Sequence, residues 1–127
     1  MALANRIIID GIRYDVPVSE VKRNAEVLDK YARRTENGEL KRKIIGVYYN
    51  YEITFGDTLD TATYHALYDK LTEAKEFHEV IVPASDGDYE YTAYIAKVQD
   101  SMVAQYGGKN YYGSLKASFI AKDPARR

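Results

Sequence analysis

The sequence predicts a mainly β domain of the α+β class, and three observations carry that reading. Segments of apolar–polar alternation recur along the chain, Gly-containing turn pairs separate them, and one stretch alone changes clearly to a helical period. At 127 residues the chain is expected to form one domain, residues 1–127, burying about two-thirds of its unfolded surface. Charged residues at 29% and apolar residues at 46% place it among soluble globular proteins. The opening apolar run ends after three residues, at Asp10, which is too short for a signal peptide or a membrane span. Synthesis and residence in a cytosol, or in an assembly formed there, is the expectation.

The elements follow in chain order. In "RIIIDGIRYDV" Asp10-Gly11 separates two short apolar runs, a hairpin signal because this pair readily takes positive φ. Residues 19 to 35 are ambiguous. Val18, Val21, Ala25, Leu28 and Ala32 make a helical stripe, and Ala, Glu, Lys and Arg favour it. Ser19 has Lys22 rather than Glu three residues on, so no capping box supports that helix. Both helix and strand stay open from local pattern. "VYYNYEITF" alternates cleanly, with Val47, Tyr49, Tyr51, Ile53 and Phe55 on one face and Tyr48, Asn50, Glu52 and Thr54 on the other.

Residues 60–74 form the expected helix, with Tyr64, Leu67, Tyr68 and Leu71 at i, i+3, i+4 and i+7 and Asp60 as N-cap. "FHEVIVP" (77–83) reads as a strand ended by Pro83. A turn at Asp86-Gly87 then leads to a strand with Tyr89, Tyr91, Ala93 and Ile95 on one face. "GGKN" (107–110) is the next turn, followed by a last strand with Leu115, Ala117 and Phe119 inward and a polar tail, "KDPARR".

Two compositional features bear on function. Tyrosine supplies 13 residues against three Phe and no Trp, which suits half-exposed sheet faces and protein interfaces. Charge is unevenly placed. Between Lys30 and Lys43 six basic residues outnumber Glu36 and Glu39, a local +4 on a chain of net −1, so the remainder carries −5.

Catalytic chemistry finds little support. Without cysteine there are no disulfides, thiolate metal sites or Cys nucleophiles. His65 and His78 lack ligand partners at metal spacing and read better as surface or half-buried side chains. Asp86, Asp88 and Glu90 resemble the start of a calcium loop, but Lys97 stands where its bidentate Glu belongs, so a hairpin turn explains them better. "YGGKNYYG" has glycines without the strand-to-helix setting of a phosphate loop, and no serine sits in a nucleophile motif. The 19 carboxylates offer no pair to single out for acid–base work. Nucleic-acid binding is the rival reading, because basic side chains near Tyr31 suit phosphates and a stacked base. The slightly negative whole disfavours it. A carbohydrate- or host-binding module, suggested by the tyrosines, lacks Trp.

Four stretches carry a family resemblance: "VSEVKRNAEVLD", "IIGVYYNYEITF", the Tyr-bearing helix with "HEVIVP", and "ASFIAKDPARR". In this order and spacing the chain resembles small tail-associated structural proteins of siphophages and prophages of Gram-positive bacteria. Members often place a glycine in the segment matching Val27 to Arg33, where this chain has "VLDKYARR". The resemblance implies a tail-tube-like fold: an antiparallel β-sandwich or small barrel, a flanking helix (about 60–74), and a long protruding hairpin (about 18–56). It also implies a non-enzymatic virion protein of the tail tube or of the tail-tip and baseplate region. Such a protein is made in the bacterial cytoplasm, binds no cofactor or metal, and assembles with itself into rings, six-fold on the tail-tube analogy, and with other tail proteins. A tail-tip adaptor that assembles only on a partner ring is the alternative within that resemblance.

On the hairpin reading, a two-residue Asn37-Gly38 turn sets Glu36 opposite Glu39, Thr35 opposite Leu40, Tyr31 opposite Ile44 and Val27 opposite Tyr48. A hairpin of roughly 50 Å, at about 3.3 Å per residue, cannot bury itself on a body this small. Lys30, Arg33, Arg34, Lys41, Arg42 and Lys43 are the residues expected to dock electrostatically on an acidic neighbour. Tyr48, Tyr49 and Tyr51 are expected to pack the contact at the arm's base.

Overall fold

The computed structural model describes residues 6–85 and 87–126. Strands β1 (Ile7–Ile9) and β2 (Ile12–Tyr14) form the expected first hairpin, with Asp10 and Gly11 at φ of 52° and 79°. The chain then enters two long antiparallel strands, β3 (Val18–Arg34) and β4 (Leu40–Phe55). Helix α1 (Thr61–Leu71) follows, then β5 (His78–Ala84), β6 (Gly87–Tyr106) and β7 (Lys109–Ala121). One mixed-order but wholly antiparallel sheet results, β2-β1-β5-β6-β7-β4-β3. The mainly β, α+β class is the one the alternation predicts. Asp86, half of the expected Asp86-Gly87 turn, lies outside the described residues.

Residues 19–34 are strand, so the helical alternative for 19–35 is overturned. Their weak alternation has a physical cause: the β3–β4 register shifts between Val18 and Glu20 and twice between Leu28 and Tyr31. A bulge inserts a residue and flips the inward set to the other parity. Val16 and Val18 are buried before the first bulge. After it Val21, Arg23, Ala25 and Val27, opposite Ile53, Tyr51, Tyr49 and Val47, share the core-side face, although of these four only Val21 packs against the core. The 3–4–3–4 stripe is a by-product of that switch. Tertiary pairing along β4 overrides the helix propensity of Ala, Glu and Lys.

The inward faces of all strands meet in one core. Ile7, Ile9, Val18, Ile53, Val80, Val82, Leu115, Ala117 and Phe119 are fully buried, and for β4 and β7 the alternation of the sequence foretells which face that is. The sheet must curl to achieve this. Tyr51 of β4 meets Tyr89 and Tyr91 of β6 at 6.2 and 5.8 Å between ring centroids, although β7 lies between those strands in the sheet. Arg23 on edge strand β3 donates to Ser85 Oγ in the β5–β6 turn at 3.2 Å, four strands away in sheet order.

Helix α1 closes the core beside β2 through Tyr64, Leu67 and Leu71. Asp60 caps it as expected: Oδ1 accepts from Thr63 N–H at 3.1 Å and Oδ2 from the Thr63 hydroxyl at 2.7 Å. The helix stops three residues earlier than the sequence reading, where Thr72 returns its hydroxyl to the Tyr68 carbonyl at 2.8 Å. β5 runs one residue past Pro83 before reversing.

His78, expected at the surface or half-buried, is 2% exposed. Its Nδ1 donates to Asp10 Oδ2 at 2.7 Å, and Asp10 also accepts from the Glu79 N–H at 2.9 Å and Lys75 Nζ at 3.3 Å. Asp10 thereby ties the first turn to β5. Partial burial disfavours its charged form, but the hydrogen bonds from His78, Glu79 and Lys75 outweigh that and hold its pKa at about 2.

Two outcomes are expected. Phe119→Ala should cost about 3–5 kcal/mol by urea unfolding, as a buried aromatic truncation does, whereas Ile44→Ala on the exposed arm should cost less than about 1. Asp10 has a depressed folded pKa, so its stabilisation is present above the unfolded value near 3.8 and fades as pH falls toward about 2. The urea midpoint of Asp10→Asn should therefore lie below that of the parent at neutral pH and converge with it across this acid window.

Candidate assembly surface

The two longest hairpins outrun the body in opposite directions. β4 and β7 pair over Tyr51–Thr54 against Lys116–Phe119. On one side of that short ladder β4 continues back to Leu40 with β3, and on the other β7 continues back to Lys109 with β6. Two ribbons result, a basic arm (β3–β4) and a second arm (β6–β7), projecting from opposite ends.

At the tip of the basic arm, Thr35 N–H donates to the Glu39 carbonyl at 2.7 Å and Gly38 N–H to the Thr35 carbonyl at 2.9 Å. Gly38 sits at φ 81°. The loop is thus three residues, Glu36–Gly38, rather than the expected two-residue Asn37-Gly38 turn. A left-handed glycine closing a type I turn with a bulge is the standard three-residue solution. The register moves by one: Arg34 faces Leu40, Arg33 faces Lys41, Ala32 faces Arg42 and Tyr31 faces Lys43, and Val27 faces Val47 rather than Tyr48.

That register sorts five of the six basic side chains onto two faces, while Lys30 falls at a register shift. Directly opposed residues share a face, so Tyr31, Arg33, Lys41 and Lys43 lie on one side and Arg34 and Arg42 on the other. The second side is internally compensated: Arg42 Nε meets Asp29 at 2.7 Å, and Arg34 donates to the Gly38 carbonyl at 3.0 Å. The first is not. Arg33 stacks its guanidinium 5.4 Å over the Tyr31 ring, and Lys41 has a loose contact with Glu39 at 3.6 Å. Lys30, Arg33 and Lys43 make no ion pair among the described residues. Val27, Leu28, Tyr31, Leu40, Ile44 and Ile45 are each 42–52% exposed on the same arm.

The three tyrosines at the arm's base part company. Tyr51 is 2% exposed and packs inside its own core, so the expectation that it packs a contact surface is corrected: its parity matches Ile53 and Phe55. Tyr49 is half-buried and accepts from Arg126 Nε at 2.8 Å. Tyr48 is half-buried on the opposite face, across from Glu26. The tail, expected to be simply polar, is structural here. Val47 N–H donates to the Arg126 carbonyl and Ala125 N–H to the Val47 carbonyl, both at 2.8 Å, so the tail adds a short bridge to β4 where β7 ends.

The second arm is what the sequence reading missed. Lys97 adopts φ 51° and the β6 register shifts there, so the inward set changes from Tyr89, Tyr91, Ala93 and Ile95 to Val98 and Asp100. A scan for period two loses the strand at that point, while β6 continues to Tyr106. The expected turn is there, at Gly107-Gly108 with φ 62° and 77°, and its distance from Lys97 is the signal that β6 runs on as an arm. Met102, Val103, Tyr106 and Tyr112 on this arm are 43–69% exposed. Between it and α1 runs an open groove of 690 Å3.

Among the described residues no three His, Asp or Glu side chains are placed to hold a metal ion, and no helix is long and apolar enough to cross a membrane. Neither protein-family models nor curated proteins give any match to this chain.

Gly46 is where the tail crosses the arm. A Cβ there would come within 2.5 Å of Pro124 Cβ and 2.8 Å of the Arg126 carbonyl oxygen. Gly46→Ala should release the tail and leave the core intact. Amide exchange at Val47 should then rise sharply while that at Ile53 stays slow.

Proposed function

We propose that this chain is a non-enzymatic structural subunit that assembles with copies of itself through the basic arm, as a component of a phage tail tube or tail-tip region. The observation that carries the assembly reading is the arm itself. Among the described residues it places Arg33 directly opposite Lys41, leaves the outer edge of β3 without a strand, and exposes six large apolar side chains, yet holds none of the buried core near its tip. Like charges across a ladder are unfavourable, and an open strand edge is a template for pairing. Both features become favourable once an acidic partner covers them, by charge compensation and by sheet extension. The phage-tail part of the reading rests on the four sequence stretches that resemble tail-associated proteins, and the one-helix β fold with a protruding hairpin agrees with it. Ring formation, six-fold by the same analogy, and contacts with other tail proteins belong to that proposal.

The Tyr31–Arg33 stack is also a surface on which a nucleic-acid base and phosphate could rest. The two readings differ in what charge reversal removes.

Replacing residues 33–41 by a two-residue Asn-Gly turn should leave the unfolding free energy from urea titration within about 1 kcal/mol of the parent, since no core residue is touched. Light scattering across a concentration series should show the parent as a closed ring or growing tubes and the shortened chain as a monomer. Persistence of the parent's oligomer in the shortened chain sinks the assembly reading. Tight, salt-sensitive DNA binding by a strictly monomeric parent would favour the nucleic-acid reading instead.

A further inference from the structure

The groove between α1 and the second arm has a definite chemistry. Tyr64, Tyr68 and Tyr112 wall it, Asp69 and Asp100 supply its charge, and no Lys or Arg lines it among the described residues. Asp100 accepts the Tyr64 hydroxyl hydrogen bond at 2.9 Å, and Asp57 stands behind it against Gly113. Burial first, then that hydrogen bond and the nearby charges of Asp100 and Asp57, push the Tyr64 phenol well above its ordinary range. Asp69 is 64% exposed, and its one ion-pair partner among the described residues is His65 at 3.2 Å, a cation only when protonated. Leu59, 81% exposed in the segment leading into α1, adds apolar surface near the groove's Thr58.

The complementary surface lies on the same chain but at its other end. The uncompensated face of the basic arm presents Tyr31, Arg33 and Lys43, with Arg33 already held over the tyrosine ring. Its local charge is opposite in sign to the groove and to the body as a whole. The arm and the groove lie on opposite sides of the β4–β7 ladder, so a chain cannot fill its own groove.

Resting on the assembly reading above, we propose that the basic tip of one copy docks in the α1–second-arm groove of the next, Arg33 and Lys43 meeting Asp69 and Asp100. The groove takes the side chains of one ribbon face rather than a whole ribbon. Arg33 suits a carboxylate because its planar fork donates two parallel hydrogen bonds, and Tyr31 finds aromatic walls in Tyr64, Tyr68 and Tyr112. The contact joins two different patches, so it is heterologous. Copies related this way run head to tail, and they close into a ring or continue as a tube according to the rotation per step.

The test uses the full chain and a charge swap. Arg33→Asp and Asp69→Arg should each weaken self-association by about tenfold or more, the consequence of opposing like charges in an interface. The chain carrying both changes should recover association, because the pair re-forms with reversed sign. Asp69 is exposed, so its variant should fold, and far-UV circular dichroism confirms that before association is measured. The absence of native cysteine supplies a second readout: mixing K43C with A62C chains should give a disulfide-linked pair that neither variant gives alone. Association that is lost on shortening the arm yet indifferent to Asp69→Arg, with no mixed disulfide, overturns the groove while leaving self-assembly standing. Association unaffected by shortening the arm overturns both. A parent chain that stays monomeric at every concentration excludes a second copy as the occupant and overturns the docking proposal.

Discussion

The four-residue ladder between β4 and β7 is the contact on which the rest of the molecule depends. Tyr51–Thr54 and Lys116–Phe119 join two hairpins whose strands run for 16 and 17 residues on one side and 20 and 13 on the other. An overlap so short relative to the strands leaves surplus ladder at both ends. The residues within it, Tyr51, Ile53, Ala117 and Phe119, are also among the most deeply buried. Body and arms are therefore set by one register. A slip of one residue would turn Ile53 and Phe119 to the solvent, because the side-chain period is two.

The same strand does two jobs along its length. The lower half of β4 supplies Tyr51, Ile53 and Phe55 to the core, while its upper half carries Lys41, Arg42 and Lys43 into solvent. The crossing from one regime to the other is marked by Gly46, where the tail lies too close for any side chain, and by the register shift just beyond it. Bulges at such a boundary re-aim the following residues and strengthen the local twist. The tail bridge at Val47 covers part of the edge that β7 leaves open, and past it the arm has no neighbour on either side among the described residues.

An isolated two-stranded ribbon is marginal in water, and a bare edge invites pairing. Charge on the basic arm restrains non-specific edge pairing, since Arg33 faces Lys41 and any like ribbon would add to that repulsion. Only a partner of opposite sign removes the penalty. Asp29 already relieves Arg42 within the chain, which leaves the Tyr31, Arg33 and Lys43 face as the unsatisfied one. In the proposed assembly, selectivity for an acidic surface would arise from what the arm lacks as much as from what it presents.

Sequence alone determined what depends on period and on local backbone chemistry. The Asp10-Gly11 reversal, the α1 stripe with its Asp60 cap, the two faces of β4 and of the first half of β6, the inward set of β7, and the concentration of positive charge around Asn37-Gly38 were all legible, because each is encoded within a few neighbouring residues. The assignment of 19–35, the hairpin register, the reach of β6 and the groove beside α1 were not. Bulges near Ser19, Lys30 and Lys97 reverse the alternation midway, so the period that identifies a strand cancels over its own length. The choice of a three-residue loop at Gly38 shifts every pair by one. The burial of Tyr51 and His78, and the meeting of Asp100 with Tyr64, join residues 36 or more apart in sequence, through a sheet that curls. Tertiary structure decided these because side-chain partners across a curled sheet are set by strand order, which no local pattern contains.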